Sequence, residues 1–126
     1  MEYLYISLGA ALGGSLRYAI SIRLNEKFWD GFPLGTLSVN VLGSFFLGFI
    51  LYYLTEKQNL SSEMKLFLGT GFCGGFTTFS TFSVEVLKLF KTSGFFPAFL
   101  YILLSLSLSL FFVFLAYSIS PGFFRS

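Results

Sequence analysis

Histidine is absent from this chain of 126 residues, and cysteine and charged residues are scarce. Without histidine, metal sites and proton relays built on imidazole are excluded. The single cysteine, Cys73, cannot form an intrachain disulfide, and we expect it to be a small buried residue within a helix. Asp, Glu, Lys and Arg make up 11% of the residues, well below the roughly 25% of soluble domains. The net charge of +2 is too small and too scattered to indicate a nucleic-acid partner.

Long apolar stretches dominate the chain instead. Hydrophobic residues account for 55% of it, and charged residues divide it into four stretches. Residues 3–22 carry one charge, Arg17, whereas residues 31–55, 66–84 and 92–124 carry none. Each stretch approaches or exceeds the roughly 20 residues that a helix needs to cross a bilayer. A soluble helical bundle would need a polar stripe along each helix, and none is visible.

We therefore predict an all-α membrane protein, a single domain of four transmembrane helices embedded in membrane lipid. The helices are expected at roughly residues 3–24, 33–55, 64–90 and 95–120. Four helices enclose little interior, because each must expose much of its surface to lipid. A pathway built by one copy is therefore hard to close, and an oligomer is expected.

The third predicted helix contains a segment that is poorly suited to face lipid. Residues 74–83 begin with two glycines and contain five hydroxyl residues and three phenylalanines. Backbone at membrane depth must be hydrogen-bonded unless it lines a cavity or is buried in protein, and a broken helix there usually marks a pathway or binding site. We expect a break near residues 74–78. Its free carbonyls would favour a cation, and its free N–H groups would favour an anion.

Two polar residues in the other helices allow two interpretations each. Asn40 shares a face of the second helix with Thr36 and Ser44. Its amide either bonds a neighbouring helix or donates to a solute, since a buried amide without partners is costly. Arg17, two-thirds of the way along the first helix, either extends to the interface or supplies an anion-attracting charge in a wet vestibule.

Aromatic rings and hydroxyl groups suggest a path for a small anion. Phe79 and Phe82 lie three residues apart on one helix face, where they either pack or present their electropositive edges to an anion. Tyr101, Ser105 and Ser109 recur every fourth residue in the last helix. These hydroxyls either form a polar track or bond their own backbone.

The loops on the two sides of the membrane carry nearly equal positive charge. One side has three basic residues: Lys57, Lys65 and Arg125. The other has four: Arg23, Lys27, Lys88 and Lys91. Because Lys and Arg set orientation, this balance allows insertion in one orientation for reasons not visible in the sequence, or insertion both ways. The balance favours the second interpretation, in which opposite orientations pair as an antiparallel homodimer.

Three segments resemble one family of channels. Residues 71–83, residues 35–40 and the pair Arg17-Tyr18 are similar to the signature of the Fluc fluoride channels, also called CrcB. The length and the four-helix layout also match over essentially the whole chain. The resemblance implies an antiparallel, dual-topology homodimer with two pores in the plasma (inner) membrane of a prokaryote. It would passively export cytoplasmic fluoride.

The resemblance also implies residue roles. Arg17 would lie near the aqueous vestibule, and the backbone carbonyls of Gly74 and Thr77 from each subunit would hold a structural sodium ion on the dimer axis. The residues implied along the fluoride pore are Asn40, Phe79, Phe82, Ser80, Thr81, Tyr101, Ser105 and Ser109.

Other functions require groups that the sequence supplies poorly. A proton-coupled small multidrug-type exporter needs a carboxylate within the membrane. The candidate is Glu85, near the end of its span, where a solvated interfacial carboxylate is expected. A structural subunit would not need a hydroxyl-rich broken helix. No nucleophile–base pair or metal-ligand cluster is visible, so the chain is not expected to be an enzyme.

Overall fold

The computed structural model describes residues 1–27, 31–57 and 60–121, and all regular structure in these ranges is helical. The prediction of an all-α protein is therefore confirmed. We number the helices of this part of the chain in order: α1 is Glu2–Lys27, α2 is residues 34–57, α3 is residues 62–76, α4 is Phe79–Ser93 and α5 is Phe95–Ser118. The third predicted helix corresponds to α3 and α4 together.

Two helices are interrupted by π-helical turns. In α2, Phe49–Leu54 is π-helical, and in α3, Leu66–Cys73 is π-helical. The wider turn changes which side chains share a face, because a π-helix bonds residues five apart instead of four. Thr55 follows this spacing, since its Oγ1 donates to the carbonyl of Ile50 at 2.9 Å.

Two segments in the described ranges are long and apolar enough to cross a bilayer by length and composition. They are Leu34–Leu54, with 21 residues, and Phe95–Ser118, with 24 residues. Both exceed the roughly 20 residues required. In comparison, α1 carries Arg17 within its apolar stretch, and the third predicted helix is divided in two.

The division falls at Thr77 and Thr78. Both residues have extended backbone, with φ −93° and ψ 160° at Thr77 and φ −153° and ψ 125° at Thr78. Helix α4 then starts with Thr78 as its N-cap, because its side-chain oxygen accepts a hydrogen bond from Thr81 N at 3.2 Å. The break therefore ends one helix and caps the next within two residues.

Glycines bring the backbones of α1 and α3 into direct contact. A Cβ atom on Gly9 would lie 2.8 Å from Phe72 N, and one on Gly13 would lie 2.9 Å from Phe76 N. On the facing helix, a Cβ atom on Gly75 would lie 2.9 Å from the Cα of Ala10. This is the close approach that small residues four apart permit in membranes. It fixes the end of α3 immediately before the break.

Helix α5 packs against both α2 and α4. Their shared core consists of Leu37, Phe82, Leu89, Ala98 and Tyr101. Tyr101 and Phe82 are therefore buried where these three helices meet, beside the break.

Candidate functional site

Asn40 of α2 bridges the break. Its Oδ1 accepts a hydrogen bond from Thr78 N at 2.8 Å, and its Nδ2 donates to Thr78 O at 3.0 Å. Both polar groups of the extended Thr78 peptide backbone are thereby satisfied, as backbone at this depth requires. The Asn40 amide therefore bonds a neighbouring helix segment, which is one of the two roles considered for it. Its two hydrogen bonds hold Thr78 in the extended conformation.

The same geometry changes the environment of two carbonyl groups. In an uninterrupted helix, Thr78 N would donate to the Gly74 carbonyl, but here it donates to Asn40. Likewise, Thr81 N would donate to the Thr77 carbonyl, but here it donates to Thr78 Oγ1. The break therefore removes the helical donor from both carbonyls to which the family resemblance assigns a sodium ion. Carbonyl oxygen is a suitable ligand for a hard cation, so the residues fit sodium.

A cavity of about 330 Å³, which we call the main cavity, lies where α2, the break, α4 and α5 meet. It brings together five of the eight expected pore residues, namely Asn40, Phe79, Phe82, Ser105 and Ser109. Thr77 and Thr78 also line it, so the main cavity is continuous with the break.

Ser105 provides an unpartnered hydroxyl in the main cavity. The side chain is 6% exposed, and its Oγ atom has no hydrogen-bond partner among the described residues. Buried hydroxyls almost always have partners, and each exception needs an explanation. A polar solute in the main cavity would supply the missing partner.

The two phenylalanines differ in their surroundings. Phe82 is 8% exposed and packs on Tyr101 with a centroid distance of 5.1 Å, whereas Phe79 is 75% exposed in a single chain. Their ring centroids are 5.6 Å apart with a tilt of 42°. The rings are adjacent but not stacked, so an edge of one ring is available beside the other.

Tyr101 lies outside the main cavity but connects to it through Phe82. Its hydroxyl donates to Glu85 Oε2 at 2.8 Å, and Thr36 Oγ1 donates to Glu85 Oε1 at 2.9 Å. Tyr101 and Thr36 are buried, and Glu85 is half-buried. The sequence interpretation placed Glu85 at the interface as a solvated group and missed this three-residue network. The signal for this network in the sequence was the hydroxyl residue Thr36, which shares a face of α2 with Asn40.

Ser80 and Thr81 lie apart from the other expected pore residues. They line a separate cavity of about 280 Å³, which we call the side cavity, together with Val84, Glu85 and Lys88. The side-chain oxygens of Ser80 and Thr78 are 3.4 Å apart. One chain therefore presents two polar surfaces near the break, and Ser80 and Thr81 belong to the second.

Arg17 lies at the end of α3. Its Nε donates to the carbonyl of Gly75 at 3.2 Å, and the side chain is half-buried. A cation at a helix C-terminus is favourable because the carbonyl end of the helix dipole is negative. The guanidinium group therefore neutralises the end of the first half-helix, two residues before the break.

Comparisons with known proteins give the family. A family model described as CrcB-like protein, Camphor Resistance (CrcB), matches residues 4–117. A protein of Shewanella denitrificans named fluoride-specific ion channel FluC is 46% identical over 112 residues, which are 89% of this chain and 90% of that relative. A Roseiflexus protein of the same name is 44% identical over 115 residues, 91% of this chain and 93% of that relative. Because these matches cover nearly its whole length, the chain belongs to the CrcB-like family.

Proposed function

We propose that this chain is a passive, fluoride-selective channel that exports cytoplasmic fluoride through two pores in an antiparallel homodimer. The observation that carries the proposal is the main cavity, where five expected pore residues meet and the described lining residues include no Lys or Arg. The names of the relatives support fluoride as the ion. They also agree with the prediction that the chain is not an enzyme.

The main cavity has groups that can replace the water around a small anion. An ion enters a narrow pathway when protein groups substitute for its hydration shell. Ser105 and Ser109 offer hydroxyl donors, and Phe79 and Phe82 offer electropositive ring edges. Conduction also needs binding weak enough for release. Uncharged donors meet both conditions, whereas a fixed cation in the lining would slow the exit of the ion.

Asn40 acts in this mechanism as a positioning residue. Both atoms of its amide are engaged by the Thr78 backbone, so the amide fixes where α4 starts. Phe79 is the first residue of α4 and Phe82 lies one turn later. By holding Thr78, Asn40 sets the place of both rings in the main cavity.

The proposal includes a structural sodium ion held by the carbonyls of Gly74 and Thr77. Support comes from the two donors that the break diverts from these carbonyls. When bound, sodium would raise the local potential for anions. Two carbonyls from one chain fall short of a full coordination shell, so the site is incomplete without a second copy.

A second copy is also needed to enclose the pathway. Phe79 and Ser80 are exposed in the single chain although they adjoin the break. The near balance of basic residues supports an antiparallel pair, although Arg125 in that tally lies outside the described residues.

The bacterial origin of the relatives supports a prokaryotic inner membrane. An inside-negative potential would drive the anion outward by about 2.3 kcal/mol per 100 mV.

One observation bears on the exporter alternative. Glu85 is held by two buried hydroxyls instead of standing free in solvent, so it has the enclosure that a proton-coupled carboxylate would require. An exporter would need a proton gradient, whereas a channel needs only the gradient of its ion. Efflux measured with and without a pH gradient separates the two mechanisms.

Fluoride efflux from reconstituted liposomes tests the channel and the role of Phe79 together. Wild type is expected to release fluoride rapidly when a potassium ionophore permits charge balance, and to retain chloride. Phe79→Ile is expected to lower the fluoride rate at least about ten-fold, equivalent to about 1.4 kcal/mol of barrier, because isoleucine lacks a ring edge. A fluoride electrode records the release.

The matched control for Phe79→Ile is Phe96→Ile. Phe96 is 72% exposed, close to the 75% of Phe79, but lies at the start of α5 outside the main cavity. It should keep the wild-type rate. Wild-type flux in Phe79→Ile would contradict the role of the ring, and absence of fluoride release from wild type would contradict the channel itself.

Biased insertion tests the antiparallel pair. Three lysines appended after Ser126 shift the balance of basic residues from three against four to six against four, and Lys57→Gln with Lys65→Gln shifts it the other way. Each variant alone should lower fluoride resistance of cells roughly five-fold or more, because one orientation becomes scarce. Expressing both variants together should restore resistance. Full resistance from either variant alone, with uniform insertion shown by cysteine labelling, would argue against the pair.

A further inference from the structure

Helix α4 carries a polar stripe that lies outside the main cavity. Thr81, Glu85, Lys88 and Thr92 are spaced by four, three and four residues, so they share one face of the helix. The buried side chains of Phe82 and Leu89 lie on the adjacent face of the helix. The stripe begins beside the break and reaches the last turn of α4, where a side chain can meet bulk water.

Two cavities open along this stripe, and Glu85 and Lys88 line both. The first is the side cavity, which also contains Ser80 and Thr81. The second, which we call the end cavity, has a volume of about 330 Å³ and lies beside Asn25 and Pro33, close to the beginning of α2. The exposed Lys88 therefore stands between the two cavities.

Glu85 connects these cavities to the proposed pathway, and its carboxylate opposes the approach of an anion. Its carboxylate is bonded to Tyr101, and Tyr101 packs on Phe82, which lines the main cavity. A negative charge beside this route repels an approaching anion. Both Glu85 oxygens already accept hydroxyl hydrogen bonds, so Lys88 is not needed to satisfy the carboxylate.

We propose that Lys88 is a rate-determining electrostatic residue at the mouth of the pathway, where its ammonium group offsets the negative charge of Glu85 and so lets fluoride enter the side and end cavities. This inference rests on the proposed channel function. Because Lys88 is exposed, water and salt screen its attraction for fluoride. The ion is therefore held weakly enough to move on from Lys88 into the pathway. Glu85 and Lys88 line both cavities, so loss of Lys88 would leave the negative charge of Glu85 unopposed there, and charge at an entrance changes the arrival rate of a small ion by about ten-fold or more.

Lys91 provides a matched control. It is exposed and lies three residues further along α4, but is not among the residues that line either cavity. Lys88→Gln and Lys91→Gln remove the same charge from the same side of the membrane. Any effect on orientation or net charge is therefore common to both variants, and a difference between them reports position.

The experiment measures initial fluoride flux from liposomes at low fluoride, at roughly 0.01 M and roughly 1 M ionic strength set with an impermeant salt. At the lower strength, Lys88→Gln should be about three- to ten-fold slower than wild type, with Lys88→Glu slower still and Lys88→Arg unchanged. At the higher strength, where the Debye length falls from about 30 Å to about 3 Å, the difference should shrink below about two-fold. Lys91→Gln should match wild type at both.

Several results would overturn the inference. These are equal rates for Lys88→Gln and wild type, equal losses in the Lys88 and Lys91 variants, or a loss that persists unchanged at high ionic strength. If Lys88→Gln does not fold, a wild-type flux that is insensitive to ionic strength overturns it as well. A wild type that releases no fluoride would instead refute the proposed function, so the two failures are distinguishable.

Discussion

Gly13→Ala is expected to prevent the chain from reaching its folded state in useful amounts. A Cβ atom at this position would meet the carbonyl oxygen of Phe72 and lie 2.9 Å from Phe76 N. Both obstacles are backbone atoms, so α1 and α3 would have to separate. Overpacking of this kind costs about 1–3 kcal/mol, and more when the backbone must shift. Because α3 ends at Phe76, the displacement would reach the break directly.

Gly14→Ala is the control for this prediction. A Cβ atom on Gly14 would have its nearest neighbour, Gly75 O, at 3.9 Å, which is ordinary contact. The two variants therefore add the same methyl group to adjacent residues of one helix. Gly14→Ala should keep the yield and the thermal unfolding temperature in detergent, whereas Gly13→Ala should lower both sharply. Equal behaviour of the two variants would mean that the close approach of α1 and α3 does not determine stability.

Spacing along the chain predicted much of this architecture because helical faces follow directly from sequence. Charge-free stretches predicted the helices, and residues 74–83 predicted a break that the structure places at Thr77 and Thr78. Gly9 and Gly13 have the four-residue spacing that permits close packing, and the structure identifies α3 as the helix that they contact. These features depend on local composition or on the period of one helix.

Contacts between helices were not predictable in the same way. Spacing places Thr36 and Asn40 on one face of α2, but the rotation of α2 against α4 decides what each side chain meets. Thr36 reaches Glu85, and Asn40 reaches the Thr78 backbone. That rotation depends on packing of side chains from three helices. The π-helical turns in α2 and α3 add a further shift that no sequence period indicated.

The separation of Ser80 and Thr81 from the two rings has the same origin. Consecutive residues on a helix point in directions about 100° apart, so Phe79, Ser80 and Thr81 must face different surroundings. A resemblance assigns all of them to one pore. In the single chain they line two cavities, so the proposed antiparallel pair would have to bring these two surfaces together around one ion.

Asn40→Ala is expected to abolish fluoride flux and to destabilise the protein at the same time. The substitution leaves the N–H and the carbonyl of Thr78 without their partners at 2.8 and 3.0 Å. Each unsatisfied buried group costs about 1–3 kcal/mol, so the loss of both partners should lower the free energy of unfolding by about 2–6 kcal/mol. Released from Asn40, Thr78 N could return to the Gly74 carbonyl, which would close the break and displace Phe79. Flux should fall at least about ten-fold, since both rings lose their positions.

Asn40→Asp removes one of the two hydrogen bonds to the Thr78 backbone and adds a negative charge. Aspartate keeps an acceptor for Thr78 N but faces Thr78 O with a second acceptor, where Asn40 has a donor. One hydrogen bond survives, but the second carboxylate oxygen repels the Thr78 carbonyl and its charge is removed from water, so we expect a loss of stability at least as large as in Asn40→Ala. Flux should be equally low, because a negative charge now lines the main cavity. Ser44→Ala, at the next turn of α2 in the same cavity, should leave stability unchanged. If Asn40→Ala lost flux but unfolded at the wild-type temperature, the amide would act on the ion directly. Its two hydrogen bonds to the Thr78 backbone would then not be its role.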